Sequence, residues 1–195
     1  MIIIDDVIDK ELQDEIERSI FGKETKWTFS RSVFYDKHPE VTEIQKKSLM
    51  SFTKQLIDPN GLKEPDYNLY ANILSGIESK TNIKIKSVFN ARIQLQLPLL
   101  TEKDKIYGIP HVDARVATNY YVVVYYVNDV DGDTVLFKQT INNATPQDII
   151  DCKLDIDKTV SPKKGRAVIF DGDIYHSVGK PKTDMRCIVN FNFKV

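Results

Sequence analysis

Residues 162–178 read PKKGRAVIFDGDIYHSV, and this stretch decides the fold class of the chain. Two short apolar runs, at 167–170 and 174–178, are separated by Asp171-Gly172-Asp173, which is a strong turn signal. Short β-branched and aromatic runs between Gly, Asp and Pro residues are typical of a sandwich or barrel. This part of the chain is therefore predicted to be antiparallel β structure.

Three further segments around this stretch have the pattern of strands. Residues 83–97 alternate between apolar and polar side chains, as a strand does when one face lies in a core. The pattern leaves open whether Gln94 and Gln96 or the neighbouring leucines face the interior. Residues 120–127 are a continuous β-branched and aromatic run, which predicts a strand buried on both faces. Residues 185–194 are predicted to be the last strand.

The first half of the chain is predicted to be mostly helical. Asp9 is a suitable N-cap for a helix that Gly22 ends, and a third helix is predicted to follow Pro65. Between them, apolar residues at helical spacing predict a second helix over residues 39–56. Their apolar stripes are interpreted as core packing. The polar segment 139–158 is predicted to be loop.

Composition and charge give no sign of a nucleic-acid-binding, secreted or membrane-spanning protein. Lys and Arg total 27 against 28 Asp and Glu, so no basic excess favours nucleic acid as a partner. The apolar start at residues 1–4 is too short for a signal peptide or a membrane span. Cys152 and Cys187 have no metal-like or redox-like spacing, which favours reduced thiols in a cytoplasmic protein.

One tripeptide carries candidate metal ligands. In His111-Val112-Asp113 the outer side chains are two residues apart, so on an extended segment both point to the same side. His176, on a distant predicted strand, can supply a third ligand. Two histidines and one carboxylate on one face of an ion leave its other face open, as non-haem Fe(II) oxygen chemistry requires. An isolated H-x-D tripeptide is also common by chance in surface turns.

Arg186 lies ten residues after His176 and begins an otherwise apolar strand. A guanidinium there is costly to bury unless it has an anionic partner. A dicarboxylate cosubstrate would be such a partner, through a bidentate contact. Asp184 and Asp171 are alternative partners within the chain.

The order of H-x-D, a distal His and an Arg ten residues later resembles the 2-oxoglutarate/Fe(II)-dependent dioxygenase superfamily. Within it, the chain is most similar to the prolyl-4-hydroxylase-like branch, including its compact phage and bacterial members. The resemblance covers residues 90–195, and residues 2–21 resemble the family's first strand and helix. Besides the ligands and Arg186, it is carried by residues 124–128, 131–137, 165–170 and 173–176.

The resemblance implies a mainly β fold with N-terminal α-helices and a double-stranded β-helix core, the jelly-roll architecture also found in cupins. It implies a single domain over residues 1–195, in which residues 1–82 are helical support and residues 83–195 form the core. The sequence departs from the family's pattern in one place. Many members have an aromatic residue before H-x-D that touches the cosubstrate, and here residues 94–98 read QLQLP.

The resemblance also implies a cofactor set and its ligands. The implied cofactors are Fe(II), 2-oxoglutarate as cosubstrate and O2, with ascorbate as a candidate reductant. The implied iron ligands, which are also the catalytic residues, are His111, Asp113 and His176. Arg186 is expected to bind the distal carboxylate of 2-oxoglutarate, and Tyr126 and Asn190 are expected to assist it.

The implied activity is hydroxylation of an unidentified substrate. By resemblance the first candidate is a prolyl or other peptidyl residue, and small molecules also remain open. Two alternatives keep the same residues but change the function. One is a non-catalytic cupin-like module that binds a metal or a sugar. The other is a zinc hydrolase with a metal-bound water. Neither alternative explains the position of Arg186.

Overall fold

The structure is a computed structural model that describes residues 1–30, 51–58, 60–98, 107–114, 119–151 and 153–195. Three α-helices lie within these residues: α1 (Lys10–Phe21), α2 (Tyr67–Lys80) and α3 (Pro146–Ile150). The strands of the first half are β1 (Ile2–Ile4), β2 (Thr28–Ser30), β3 (Ser51–Ile57) and β4 (Ser87–Gln96). Those of the second half are β5 (Tyr121–Tyr126), β6 (Thr134–Thr140), β7 (Ile156–Val160), β8 (Ala167–Asp171), β9 (Ile174–Val178) and β10 (Arg186–Lys194).

The first and the third of the predicted helices are present. Asp9 caps α1 by accepting a 2.9 Å hydrogen bond from the backbone N–H of Leu12, and the helix ends before Gly22. α2 begins two residues after Pro65. The residues that α2 buries are those of the predicted stripe, namely Tyr67, Tyr70, Ile73, Leu74 and Ile77.

The helix predicted for residues 39–56 is wrong at its end, because residues 51–57 form β3. β3 pairs antiparallel with β4, with Phe52 opposite Leu95 and Thr53 opposite Gln94. The edge of β4 presents a row of backbone N–H and C=O groups, which a strand can pair and a helix cannot. Residues 39–50 lie outside the described part of the chain.

The segment 139–158 is more regular than the predicted loop. Thr145 and Asp148 form a capping box with reciprocal hydrogen bonds, and Pro146 occupies the first turn of α3. The end of the segment enters β7, which pairs with β6. These elements depend on a cap and on an edge strand rather than on hydrophobic periodicity, which this polar segment lacks.

Two antiparallel sheets form a double-stranded β-helix. The larger has seven strands in the order β1-β8-β5-β10-β4-β3-β2, and the smaller has three in the order β7-β6-β9. Residues 107–114 run beside β9, joined to it by isolated bridges at Tyr107 and His111. The fold is therefore mainly β with helices near its N-terminus, as predicted, although β1, β2 and β3 also come from the first half of the chain.

Both hydrophobic layers meet on β5. Val123 and Tyr125 pack with α1 and α2, whereas Val122 and Val124 lie in the layer between the two sheets. Each fully buried side chain of this size stabilises the fold by about 1.5–3 kcal/mol. The prediction of a strand buried on both faces is confirmed.

No helix among the described residues is long and apolar enough to span a bilayer.

The Cys187 side chain is a free, buried thiol on β10, in the layer between the large sheet and the helices. Burial raises the pKa of this thiol well above its usual value, which keeps it protonated and unreactive. Cys152 lies outside the described residues.

Candidate metal centre

His111 and His176 face each other across two adjacent backbone segments. The backbone N–H of each residue donates to the carbonyl oxygen of the other, at 2.8 and 2.9 Å. Ser177, the next residue on β9, donates a 2.7 Å hydrogen bond to the carbonyl of Gly108 and secures the same pairing. The two imidazole rings consequently lie 4.5 Å apart between centroids.

Backbone carbonyls set the tautomer of both imidazoles. The Nδ1 atom of His111 lies 3.2 Å from the carbonyl oxygen of Ile109, and Nδ1 of His176 lies 3.3 Å from that of Ile174. Because a carbonyl oxygen only accepts hydrogen bonds, each Nδ1 carries the proton. The lone pair of each Nε2 is therefore available to a metal, an arrangement common in metal sites.

Asp113 completes a cluster of three potential ligands. Its Oδ1 lies 3.8 Å from Nε2 of His111 and 3.7 Å from Nε2 of His176. Metal bonds to imidazole nitrogen and carboxylate oxygen are about 2.0–2.2 Å long, so two donors on one ion lie at most about 4.4 Å apart. The ligand atoms of all three side chains lie within 4.8 Å of one another, close to the spacing that one divalent ion needs, and two histidines with one carboxylate are a typical non-haem iron set.

Three hydrogen bonds hold the Asp113 carboxylate. Arg92 donates to Oδ1 at 3.0 Å, while the amides of Asn190 and Asn192 donate to Oδ2 at 3.0 and 2.8 Å. These donors come from β4 and β10, whereas Asp113 itself lies outside any strand. The large sheet thereby positions a ligand that the loop alone would leave mobile.

The electrostatics of the cluster favour a metal ion over protons. Burial, with the neighbouring His176 adding to it, lowers the pKa of His111 to about 3. Burial by itself would raise the pKa of Asp113, but the Arg92 guanidinium and the two histidines outweigh it and hold that pKa well below its usual range. At neutral pH the site thus presents a neutral imidazole at position 111 and a carboxylate at position 113.

The three potential ligands line a cavity, and Arg186 lines it too. Arg186 is 2% exposed. Its guanidinium donates to Gln96 Oε1 at 3.1 Å and to Thr134 Oγ1 at 2.9 Å, while its Nε is buried without a hydrogen-bond partner. Burial lowers its pKa. Neither Asp171 nor Asp184 forms an ion pair with it, nor does any other carboxylate among the described residues. A buried guanidinium without a counter-ion fits the binding of an anion from outside the chain.

Tyr126 packs against the guanidinium of Arg186 and contacts Thr134, which accepts a hydrogen bond from it. Its hydroxyl lies 2.6 Å from Thr134 Oγ1, the atom to which Arg186 also donates, and its ring centroid is 5.4 Å from the guanidinium carbon. Asn190, by contrast, is the next residue after Ile188 on the interior face of β10, two positions along the strand, and it donates to Asp113. The structure thus places Tyr126 beside Arg186 and Asn190 beside the ligand cluster.

The polar face of β4 lines the cavity. Gln94 and Gln96 lie on this face, which settles the orientation that the pattern left open. Arg92, on the same face, was not predicted as a site residue, and neither were Asn192 and Thr134. The available signal was a polar residue at every second position of an otherwise apolar strand, which indicates a polar interior.

No family model and no curated protein matches the sequence. Solved structures match almost the whole chain. An oxidoreductase of the 2OG-Fe(II) oxygenase family from Burkholderia pseudomallei is 10% identical, with a TM-score of 0.62 over 96% of this chain and 81% of that one. A prolyl-4-hydroxylase from Pseudomonas putida is 14% identical, with a TM-score of 0.55 over 99% and 91%. HygX from Streptomyces hygroscopicus, solved with nickel and 2-oxoglutarate, is 8% identical, with a TM-score of 0.60 over 99% and 82%. At such identities the likeness establishes a shared fold.

Proposed function

We propose that residues 1–195 form one domain, an Fe(II)- and 2-oxoglutarate-dependent dioxygenase that hydroxylates its substrate. The observation that carries the proposal is the presence, in one cavity, of the His111, Asp113 and His176 cluster and a buried arginine without an anionic partner. Fe(II) would account for the ligand cluster, and 2-oxoglutarate would account for the arginine.

The three ligands fit Fe(II) by their chemistry. Two imidazoles with available Nε2 lone pairs and one carboxylate are a donor set suited to this ion, and their ligand atoms lie within 4.8 Å of one another. They line the same cavity as Arg186. The three hydrogen bonds on Asp113 fix its orientation, so the carboxylate need not reorganise when the metal binds.

Arg186 fits the distal carboxylate of 2-oxoglutarate. The guanidinium is held by Gln96 and Thr134, and its Nε–H remains available for a further acceptor. A carboxylate would supply the missing charge and bond to the planar fork of the guanidinium. Thr134 and the ring of Tyr126 hold the guanidinium in place for that contact.

When bound, Fe(II) with 2-oxoglutarate and O2 supplies oxidative decarboxylation coupled to hydroxylation of a C–H bond, with succinate and CO2 as the other products. The chain's own residues orient the reactants and exclude water. Val124, Val178 and Ile188 are apolar side chains that line the cavity together with Arg186 and the ligand cluster. Asp113 holds a ligand position with a carboxylate, which favours hydroxylation over halogenation.

The substrate class is proposed from the motifs and from the fold. The first candidate is a prolyl or other peptidyl residue, on the resemblance of the motifs and on the fold shared with the Pseudomonas putida prolyl-4-hydroxylase. Ascorbate is proposed as a reductant that returns the metal to Fe(II).

The decisive experiment is an anaerobic visible spectrum of the purified protein, titrated first with Fe(II) and then with 2-oxoglutarate. We expect a weak metal-to-ketoacid charge-transfer band in the wild type and none in His176→Ala. Arg186→Ala should need at least about ten-fold more 2-oxoglutarate to develop the band, since a charge-assisted contact of about 1.5–3 kcal/mol is lost. Lys194→Ala, which removes an exposed cation from the same strand, is the matched control.

Two results would overturn parts of the proposal. Stoichiometric iron binding without a band would remove 2-oxoglutarate and favour a cupin-like metal-binding module. Absence of iron binding in the wild type would remove the metal site itself.

A further inference from the structure

Arg92 is a second cationic side chain at the candidate site, and neither proposed cofactor accounts for it. It lies on the interior face of β4 and lines the same cavity as the ligand cluster. One of its nitrogens, Nη2, donates to Asp113 Oδ1. Its Nε is buried without a hydrogen-bond partner. A buried donor without an acceptor costs about 1–3 kcal/mol, so its retention calls for an explanation.

The two arginines lie at different levels of the cavity, and Arg92 is the one beside the ligand cluster. In the pairing of β10 with β4, Arg186 is opposite Gln96, and Asn190 is opposite Arg92. Four residues along a strand separate the two levels, which is about 13 Å. Arg186 is 2% exposed, whereas 19% of the Arg92 side chain is exposed. Arg92 is therefore nearer to solvent, and so nearer to an entering substrate, than Arg186 is.

A charge count shows what a loaded site would lack. Among the described residues that line the cavity, the charged ones are Arg92, Asp113 and Arg186. Asp113 and one carboxylate of 2-oxoglutarate would balance a divalent cation, and the distal carboxylate would balance Arg186. One positive charge is then left, and it is on Arg92.

An acceptor beside Arg92 is also unused. Oδ1 of Asn190 is buried without a partner, because the amide nitrogen of this residue is turned to Asp113. Asn190 and Arg92 are a directly opposed cross-strand pair. Together they offer a free N–H donor on a cation and a free acceptor. A carboxylate with an adjacent N–H complements both groups.

We infer that Arg92 binds a carboxylate of the substrate, so that the substrate carries a free α-carboxylate with a neighbouring N–H. This inference rests on the proposed function. A free amino acid and the C-terminal residue of a peptide share this chemistry. An internal prolyl residue lacks the carboxylate.

The test measures binding rather than turnover. Wild-type protein is loaded with Ni(II), a redox-inert substitute for iron, and with 2-oxoglutarate, and both occupancies are measured by calorimetry. Ligand-observed NMR then compares free amino acids with their α-amides, and tripeptides with free or amidated C-termini. The variants are Arg92→Gln and Arg92→Lys, with Lys84→Gln as a control that removes an exposed cation before the same strand.

We expect a free acid to bind at least ten-fold more tightly than its amide, since a charge-assisted hydrogen bond contributes about 1.5–3 kcal/mol. Arg92→Gln should lose this preference and Arg92→Lys should keep part of it, while Lys84→Gln keeps all of it. Every variant is compared at saturating Ni(II), because Arg92→Gln loses a hydrogen bond that holds Asp113 and should bind the metal more weakly. Binding of amino acids alone or of peptides alone identifies the source of the carboxylate, and either result supports the inference.

The inference is overturned if no free acid binds better than its amide, or if Arg92→Gln keeps the preference, while Ni(II) and 2-oxoglutarate still bind. Failure of wild-type protein to bind Ni(II) or 2-oxoglutarate would overturn the proposed function, and the inference with it.

Discussion

Asn192 donates a 2.8 Å hydrogen bond to Oδ2 of Asp113, from a strand 79 residues further along the chain. The bond is part of a longer series of amides. Asn90 donates to the Asn192 side chain at 2.6 Å, and Gln55 donates to Asn90 at 3.0 Å. Strands β3, β4 and β10 thus act together on one carboxylate, and the orientation of each amide follows from the next.

We predict that Asn192→Ala weakens metal binding about 10–100-fold, the usual effect of removing a group that orients a metal ligand. The reason is that Asp113 then keeps fewer hydrogen bonds and gains rotational freedom. Competition with a chromogenic chelator measures the affinity. Asn142→Ala, at an exposed position in the turn after β6, is the control and should bind metal as the wild type does. Unchanged affinity in Asn192→Ala would show that the hydrogen bond has no part in metal binding.

Thr134 is predicted to determine the affinity for 2-oxoglutarate without touching the metal. Its Oγ1 accepts from Arg186 and lies 2.6 Å from the Tyr126 hydroxyl. Thr134→Val removes this acceptor and should weaken 2-oxoglutarate binding about ten-fold, or about 1.4 kcal/mol. Calorimetric titration of the Ni(II)-loaded protein measures it. Thr134→Ser keeps the hydroxyl and should restore most of the affinity, and equal losses in both variants would contradict the prediction.

Tyr120 is predicted to stabilise the loop that carries Asp113. Its hydroxyl accepts from the backbone N–H of Ala114 at 3.0 Å and donates to the carbonyl of Gly172 at 2.6 Å. Tyr120→Phe leaves these backbone groups without that partner and should lower the free energy of unfolding by about 1–3 kcal/mol. Urea denaturation measures it. The control is Tyr121→Phe, whose partly exposed ring stacks on Phe193, and it should stay within about 0.5 kcal/mol. Similar losses in the two variants would refute the assignment.

The stability of the metal-free protein is predicted to fall in acid, in part because of His111. Burial lowers its pKa from 6.5 to about 3, so between these values the unfolded state binds a proton that the folded state does not. Stability therefore rises with pH across this window and is lost as the pH falls. In His111→Gln the slope should be smaller by up to one proton, or about 1.4 kcal/mol per pH unit.

Urea denaturation in the presence of a chelator, from about pH 7 to about pH 4, measures both slopes. Parallel curves for the wild type and His111→Gln would mean that this imidazole is not buried in the neutral form. His38 lies outside the described residues, so His38→Gln serves only as a measure of the general effect of losing one histidine.

Local signals were sufficient for the elements that depend on near neighbours. The Asp9 cap and the apolar stripe of α1 lie within one helix. The continuous apolar run over β5 predicts burial on both faces without reference to its partner strands. Residues 51–56 were assigned wrongly because their partner, β4, is some forty residues away in the chain, and the edge of that strand decides their conformation. Sequence spacing carries no information about such an edge.

For the candidate site, the sequence by itself determined that His111 and Asp113 lie on one side of an extended segment, because side chains two residues apart share a face. It also predicted His176 as a third ligand and Arg186 as a residue that binds an anion, and the resemblance implied the same roles. Only the tertiary structure decided that His176 opposes His111 and that Asn192 reaches Asp113. It also decided that Arg92 lies beside the cluster while Arg186 lies four residues away along the paired strands. The physical reason is that strand register is set by pairing between distant segments, and a shift of one residue would turn every one of these side chains to the other face.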